Sequence, residues 1–355
     1  MEKIGILTGG GDCPGLNAVI RAVVKKSIKY KCVPIGIKNG WKGLIGGDMV
    51  PLTDRHVSGI LTKGGTILGT SRTNPFRDQE NVKKIIDNLK KFKIDAIIAI
   101  GGEDTLGVAL KLHKMGIPIV GVPKTIDNDL SGTDFTFGFD TAVSIVTEAI
   151  DRLHTTAESH RRVMVVEVMG RHAGWIATMA GIAGGADEIL IPEAPFDIEN
   201  VCRHIKERYD RGKKFSIIVV AEGAEPKHIG SLIMESKEKD EFGHLKLGGV
   251  GNYIAKLIEE RMNVETRVTV LGYVQRGGTP TAYDRVLATR FGVKAVELIK
   301  DRNYGKMVAL RGNKIIPVEI EEAVSKLKTV DMDLYDIAKI FFDKADVEKT
   351  ISDLA

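Results

Sequence analysis

Cysteine is scarce in this 355-residue chain: Cys13, Cys32 and Cys202 are the only three, with no Cys-x-x-Cys spacing. That fits a reducing compartment better than a disulfide framework or a zinc site. The eleven prolines are scattered, so neither a collagen-like repeat nor a low-complexity linker is present. Aromatic residues are few and never interleave with a basic block, and a formal charge of +4 is mild for this length. Nothing here makes a case for nucleic acid. The N-terminus enters a short strand at Lys3–Thr8 and meets glycines at once, which gives neither a signal peptide nor a membrane span. A soluble cytoplasmic enzyme is the expectation.

Two familiar nucleotide loops are missing as well. There is no G-x-x-x-x-G-K-[ST] sequence, hence no P-loop. The turn Gly9-Gly10-Gly11-Asp12-Cys13-Pro14-Gly15 puts Pro14 where a dinucleotide fingerprint needs its third glycine. The second strand also ends near Lys38 and Asn39, without an acid to hold a ribose diol. What remains is a backbone cradle for an anion, with Gly11 favoured for closest approach. Gly101-Gly102 repeats the pattern, and Gly184-Gly185 reads either as a cradle or as a helix end.

Glycine, by contrast, is abundant at 39 residues, marking many tight turns between apolar segments. Ile4–Leu7, Val33–Ile37, Ala96–Ile100 and Ile117–Val122 read as strands, with helical spacing after the first and from Leu106 to His113. A second series begins near Asp140. It has helical spacing over Thr141–Leu153, strands at Val163–Val168, Ile189–Ile191 and Ser216–Val220, and a helix over Gly174–Gly181. Gly251–Arg261 and Asp284–Lys300 read as helices flanking a strand at Arg267–Leu271. Gly312-Asn313 marks a hairpin, residues 227–248 a polar excursion, and the last thirty residues a helical tail. The fold class is α/β: two domains with mainly parallel sheets covered by helices.

The chemistry concentrates at Pro123-Lys124-Thr125-Ile126-Asp127-Asn128-Asp129, which follows Gly101-Gly102-Glu103-Asp104-Thr105. Carboxylates and a lysine around glycine turns suit metal-assisted phosphoryl transfer to a hydroxyl. Asp127 is the candidate general base, set against a plain reading as a turn residue. Glu103 can reach a phosphate-bound Mg²⁺, for which one or two carboxylates suffice. Asp129 either assists it or orders Arg171 or Lys124. Thr125 can hydrogen-bond the moving phosphoryl or the sugar. Arg72, Arg162, Arg171, Arg267 and Arg276 stand at strand ends or glycine turns, where guanidinium groups can pair with phosphate oxygens. Glu222 either accepts from sugar hydroxyls or pairs with an arginine.

With GGGDCPGLN, GGEDT, PKTIDND, VEVMGR and GYVQRGG in that order, the chain resembles the bacterial-type 6-phosphofructokinases over roughly residues 3–300. The resemblance implies a phosphofructokinase-like fold with the active site in the cleft between two domains. Residues 1–138 plus 252–305 would form the larger, donor-binding domain and 139–251 the smaller, fructose-6-phosphate domain. The hairpin and tail at 306–355 would pack on the larger. Asp127 is then the base, and Thr125, Met169, Gly170, Arg171 and Glu222 are sugar contacts. Arg72 and Arg171 stabilise the moving phosphoryl. Arg162 and Arg267 are supplied to the 6-phosphate by a neighbouring subunit, and Tyr273 and Arg276 complete that pocket. Gly11, Arg72, Gly102, Asp104, Thr105 and Lys124 bind the donor. A homotetramer or homodimer with shared sites is implied, with Mg²⁺ as cofactor.

Two departures point to the donor. Relatives that use ATP usually carry glycine at position 104 and commonly at 124. Here a carboxylate would repel and crowd the nucleotide's α-phosphate, while Lys124 compensates a compact anion. The pair resembles the pyrophosphate-dependent branch, with ATP or mixed use as the alternative. A non-catalytic sugar-phosphate sensor and a generic sugar or lipid kinase fit the retained residues less well. The allosteric site of regulated relatives is only partly matched. Arg21, Arg211, Lys213 and Lys214 keep its charge, but Lys25 and His154 replace arginines and Asp187 shortens a glutamate. Strong control by ADP or phosphoenolpyruvate is not expected.

Overall fold

A computed structural model of the chain describes residues 1–227, 234–239, 241–243 and 245–342. They divide into two compact units, residues 1–142, 239–244 and 276–328 in the first, and 143–238, 245–275 and 329 onward in the second.

The first unit opens with β1 (Lys3–Thr8), α1 (Leu16–Lys29), β2 (Val33–Ile37), α2 (Gly40–Gly46) and β3 (Met49–Pro51). It continues through α3 (Gln79–Phe92), β4 (Ala96–Gly101), α4 (Glu103–Lys114) and β5 (Ile119–Pro123). The strand β4 is buried along its whole length. This is why its residues form an unbroken apolar run rather than an alternation: helices cover both faces of the sheet. Each fully buried isoleucine there stabilises the fold by about 1.5–3 kcal/mol. Helix α3 buries Val82, Ile85 and Leu89, one stripe at helical spacing, and Asp78 caps its start by accepting from Glu80 N at 2.9 Å.

Helix α5 (Phe139–His160) leads into the second unit, with β6 (Val163–Val168), α6 (Trp175–Ala183), β7 (Glu188–Leu190), α7 (Ile198–Asp210) and β8 (Ser216–Ala221). There follow a two-stranded ribbon, β9 (Met234–Lys239) with β10 (Leu245–Leu247), then α8 (Val250–Met262) and β11 (Thr266–Val270). The last described elements are α9 (Ala282–Lys300), β12 (Lys306–Arg311), β13 (Lys314–Glu319), α10 (Ile320–Ser325) and α11 (Met332–Lys339).

The first sheet has the order β13-β12-β5-β4-β1-β2-β3. Its five central strands are parallel, with β13 and β3 antiparallel at the edges. The second is β11-β6-β8-β7, parallel throughout. The fold is therefore α/β with mainly parallel sheets.

Two differences from the sequence pattern stand out. Helix α8 and strand β11 belong to the second unit, not with 276–305, because β11 pairs along β6 from Thr266↔Val163 to Val270↔Glu167. The hairpin β12–β13 extends the first sheet, whereas α11 lies with the second unit. The polar excursion contains β9 and β10, and its residues 228–233, 240 and 244, like 343–355 of the tail, lie outside the described residues. Among the described residues no helix is long and apolar enough to cross a membrane, and all three cysteines are free.

Candidate active site

Register alone assembles the first group of residues. Thr8 lies opposite Ile100, and Gly101 opposite Pro123. The turns after β1, β4 and β5 therefore leave side by side from the carboxyl edge of three adjacent strands, where open α/β sheets bind ligands. These turns carry Gly9–Gly11, Gly102–Thr105 and Lys124–Asp129.

The turn after β5 is locked from within. Thr125 Oγ1 accepts from Asp127 N at 3.0 Å and lies 3.3 Å from Asp127 Oδ2. Asn128 takes the left-handed region at φ 52, which asparagine tolerates, and its Oδ1 accepts from Thr136 N at 3.1 Å. Thr136 Oγ1 in turn donates to Thr125 O at 2.7 Å. Asp127 is 4% exposed, and its Oδ1 has no hydrogen-bond partner among the described residues. A turn role alone accounts for the Thr125 bonds but leaves that buried oxygen unexplained.

Lys124 is also buried, and its ammonium donates to Gly11 O. Burial draws its pKa below the usual lysine value, opposed by the nearby Cys13 and Asp127. Arg276 approaches the same turn: Nη1 donates to Asp12 O at 3.2 Å and would lie 2.5 Å from a Cβ at Gly11. Glycine is thus required at 11 for the guanidinium to come this close. Glu103 and Asp104 occupy the first turn of α4, Glu103 exposed and Asp104 half-buried, beside Gly102 and the buried Thr105. Arg72 is exposed, one residue beyond Ser71, whose carbonyl accepts from Gly10 N at 3.0 Å.

The second unit builds another group by the same logic. Val168 lies opposite Ala221, so Met169–Arg171 and Glu222 emerge together. Glu222 Oε1 accepts from Arg171 N at 3.0 Å, and Glu222 N donates to Val168 O at 2.8 Å. Gly170 sits at φ 147, where a Cβ would lie 2.5 Å from Ala173 O, so only glycine admits this bend. Tyr273 follows β11 on the same edge and is 73% exposed.

Arg162 and Arg267 do not join this group. They precede or open β6 and β11, at the amino edge, and meet each other on Glu265. Arg162 Nε lies 2.7 Å from Glu265 Oε2, and the two guanidiniums hold that carboxyl below its usual range. At about 3.3 Å per residue, a six-residue strand separates the two edges by roughly 20 Å.

Two anchoring residues lie inside the motifs VEVMGR and GYVQRGG but outside the candidate site residues read from the sequence. Gln275, fully buried, accepts from Met169 N at 3.3 Å and donates to Gly272 O at 3.1 Å. Glu167 accepts from Gly249 N and Gly251 N at 3.0 and 2.8 Å, placing a carboxylate at the α8 N-terminus. Gly184-Gly185 proves to be a helix end, with Gly185 at φ 65 after α6. Of the residues matching an allosteric site, Asp187 pairs with Arg208 at 2.7 Å and accepts from Ile217 N at 2.9 Å. His154 Nε2 is bonded to Gly184 O at 2.8 Å, and Lys25 is paired with Asp54.

With fold and edges in place, comparison with known proteins defines the class. The phosphofructokinase family model matches residues 3–299, and the chain belongs to that family. It is 59% identical, over 96% of its length and 99% of the relative's, to a protein of Streptomyces coelicolor named pyrophosphate–fructose 6-phosphate 1-phosphotransferase. It is 54% identical, with the same coverage, to a Mycobacterium tuberculosis protein named ATP-dependent 6-phosphofructokinase. Among solved structures, Pichia pastoris phosphofructokinase in the T-state superposes with a TM-score of 0.82 at 33% identity. That match covers 96% of this chain and spans only 36% of the longer Pichia chain.

Proposed function

We propose that the chain catalyses reversible phosphoryl transfer from pyrophosphate to the 1-hydroxyl of fructose 6-phosphate, giving fructose 1,6-bisphosphate and phosphate. The observation that carries the donor assignment is the ammonium of Lys124, buried on the Gly10–Gly11 turn beside the start of α4. A fixed cation there suits a compact, highly charged anion, while the side chains of Lys124 and Asp104 take up space that a nucleotide would need. The Streptomyces relative's name supports this reading. The Mycobacterium relative's name makes ATP the competing donor.

In the proposed reaction the 1-hydroxyl oxygen attacks the terminal phosphorus of pyrophosphate. The P–O bond to the leaving phosphate breaks, and the hydroxyl proton passes to the Asp127 carboxylate. In reverse, Asp127 returns it. The unpartnered Oδ1 is the atom suited to this exchange. Thr125 orients the acceptor hydroxyl, while Arg72 and Arg171 offset the charge spread over the moving phosphoryl. The sugar is held through Met169, Gly170, Arg171 and Glu222, with Tyr273 and Arg276 serving its 6-phosphate.

Among the described residues no group of three or more His, Cys, Asp or Glu gathers as a dedicated metal cage. That still fits Mg²⁺, which keeps several waters and needs one or two carboxylates when it rides on substrate phosphates. Glu103, exposed at the head of α4, would hold it, with Asp129 assisting. When bound, the ion supplies charge neutralisation on the donor oxygens.

The amino-edge location of Arg162 and Arg267 supports sharing between copies. Roughly 20 Å from Met169–Arg171 along the strands, they serve a neighbouring copy's 6-phosphate, in a homodimer or homotetramer. Phosphorus NMR of a mixture of fructose 6-phosphate, pyrophosphate and Mg²⁺ tests the reaction in both directions. Fructose 1,6-bisphosphate and phosphate must appear, and pyrophosphate must re-form when the products are supplied instead. Absence of both conversions overturns the proposal.

A further inference from the structure

The loop Met169–Gly174, between β6 and α6, is held by side chains at each of its ends and in its middle. Gln275 takes Met169 N and Glu222 takes Arg171 N, as described above. The third anchor lies outside every motif. Glu193, just beyond β7, accepts from Gly174 N with both oxygens, at 3.0 and 3.1 Å. Gly174 is the N-cap of α6 and has no side chain to cap with, so the carboxylate arrives from nineteen residues away.

Glu193 is itself held. Val330 N donates to its Oε1 at 2.8 Å, and Val330 is 3% exposed. Five residues on, the buried Tyr335 donates its hydroxyl to Ile189 O of β7 at 2.8 Å, and α11 packs against α6. The segment from Val330 to Tyr335 therefore clamps both β7 and the carboxylate that fixes the loop. Gly170 and Arg171 both have positive φ, a bend whose cost the surrounding bonds must hold in place.

We infer that Glu193 is a positioning residue for the acceptor loop, kept in register by the C-terminal segment Val330–Tyr335. The inference rests on the reading of Met169–Arg171 as fructose 6-phosphate contacts. Its role is to set the affinity for the sugar phosphate, acting through Gly174 and not by touching substrate. Residues 330–335 thus become part of the acceptor site's support, although they lie beyond the family-matched stretch.

The test uses the full chain with Glu193→Ala, Glu193→Gln and Tyr335→Phe. Glu193→Ala is expected to raise KM for fructose 6-phosphate about tenfold, while KM for pyrophosphate stays within about twofold. Glu193→Gln keeps one acceptor oxygen and is expected to recover most of that loss. Hydrogen exchange over 169–174 should accelerate in Glu193→Ala, while β6 keeps its wild-type protection. If Glu193→Ala does not fold, Tyr335→Phe provides the same readouts, with an expected rise in KM of about threefold. An unchanged KM for the sugar phosphate in a folded variant overturns the inference, as does an equal change in both KM values. Failure of the wild-type chain to use fructose 6-phosphate would instead sink the functional reading. Exchange over 169–174 at the wild-type rate in Glu193→Ala overturns the positioning role whatever the substrate.

Discussion

Replacing Asp127 with asparagine separates catalysis from stability with opposite expected signs. The change keeps the shape of the side chain and removes the base. Positioned general bases contribute about 10²–10⁴-fold, so kcat should fall by that factor, equivalent to roughly 3–5 kcal/mol in the barrier. The side chain and backbone N–H of Asp127 bond within its own turn, to Thr125. KM for both substrates should therefore stay within about threefold. Stability should not fall with activity. Oδ1 is buried without a partner, and leaving such a group unpaired costs about 1–3 kcal/mol. Substituting a neutral amide relieves part of that, so the melting temperature should hold or rise by roughly 2 °C. Initial rates at saturating pyrophosphate and fructose 6-phosphate, with calorimetric melting of the same preparations, provide the assay. A loss under tenfold would refute the base assignment. A fall of several degrees in melting temperature would instead show that Asp127 is held for the turn.

Two further outcomes follow from the geometry. If Arg162 serves a neighbouring copy, Arg162→Ala and Asp127→Asn proteins, each nearly inactive, should regain a measurable fraction of wild-type rate when unfolded and refolded together. No recovery in mixed assemblies would place Arg162 and Asp127 at the same copy's site. Asp284, fully buried and accepting from both Thr141 N and Thr141 Oγ1, has its carboxyl pushed up to about 6 by burial. A folded pKa above the unfolded one means this group's stabilisation is complete below about pH 4 and is lost as pH rises towards 6. The melting temperature of wild type minus that of Asp284→Asn should therefore shrink between pH 4 and pH 7. A pH-independent difference would contradict it.

Much of the scaffold is legible in the sequence because parallel strands buried on both faces leave unbroken apolar runs. Ile4–Leu7, Ala96–Ile100 and Ile217–Val220 show it, and in Val163–Val168 only Glu167 interrupts the run. Within each sheet the turns after them then fall on one edge by register, which in the first sheet brings the Lys124–Asp129 turn beside Gly9–Gly11. Pairing across long separations is not legible. Nothing local in 266–270 says that it joins β6, a hundred residues earlier, so nothing in the residues corrects the resemblance-implied placing of 252–305 in the larger domain. Helix α2 hides behind its glycines, and α3 and α7 carry polar faces with no motif to draw notice. The same limit hides the roles of Gln275 and Glu167, although both stand inside quoted motifs, and hides Glu193 altogether. Each acts on a backbone N–H remote in sequence, a bond that residue type alone does not announce.

The most direct test of the account is the ratio of kcat/KM for pyrophosphate to that for ATP, with fructose 6-phosphate as acceptor, in the wild-type chain and in the Asp104→Gly/Lys124→Gly double variant. The expected ratio is at least about 100 in the wild type, falling at least tenfold in the variant as repulsion and crowding are removed. A wild-type preference for ATP, or a ratio untouched by the double change, would contradict it.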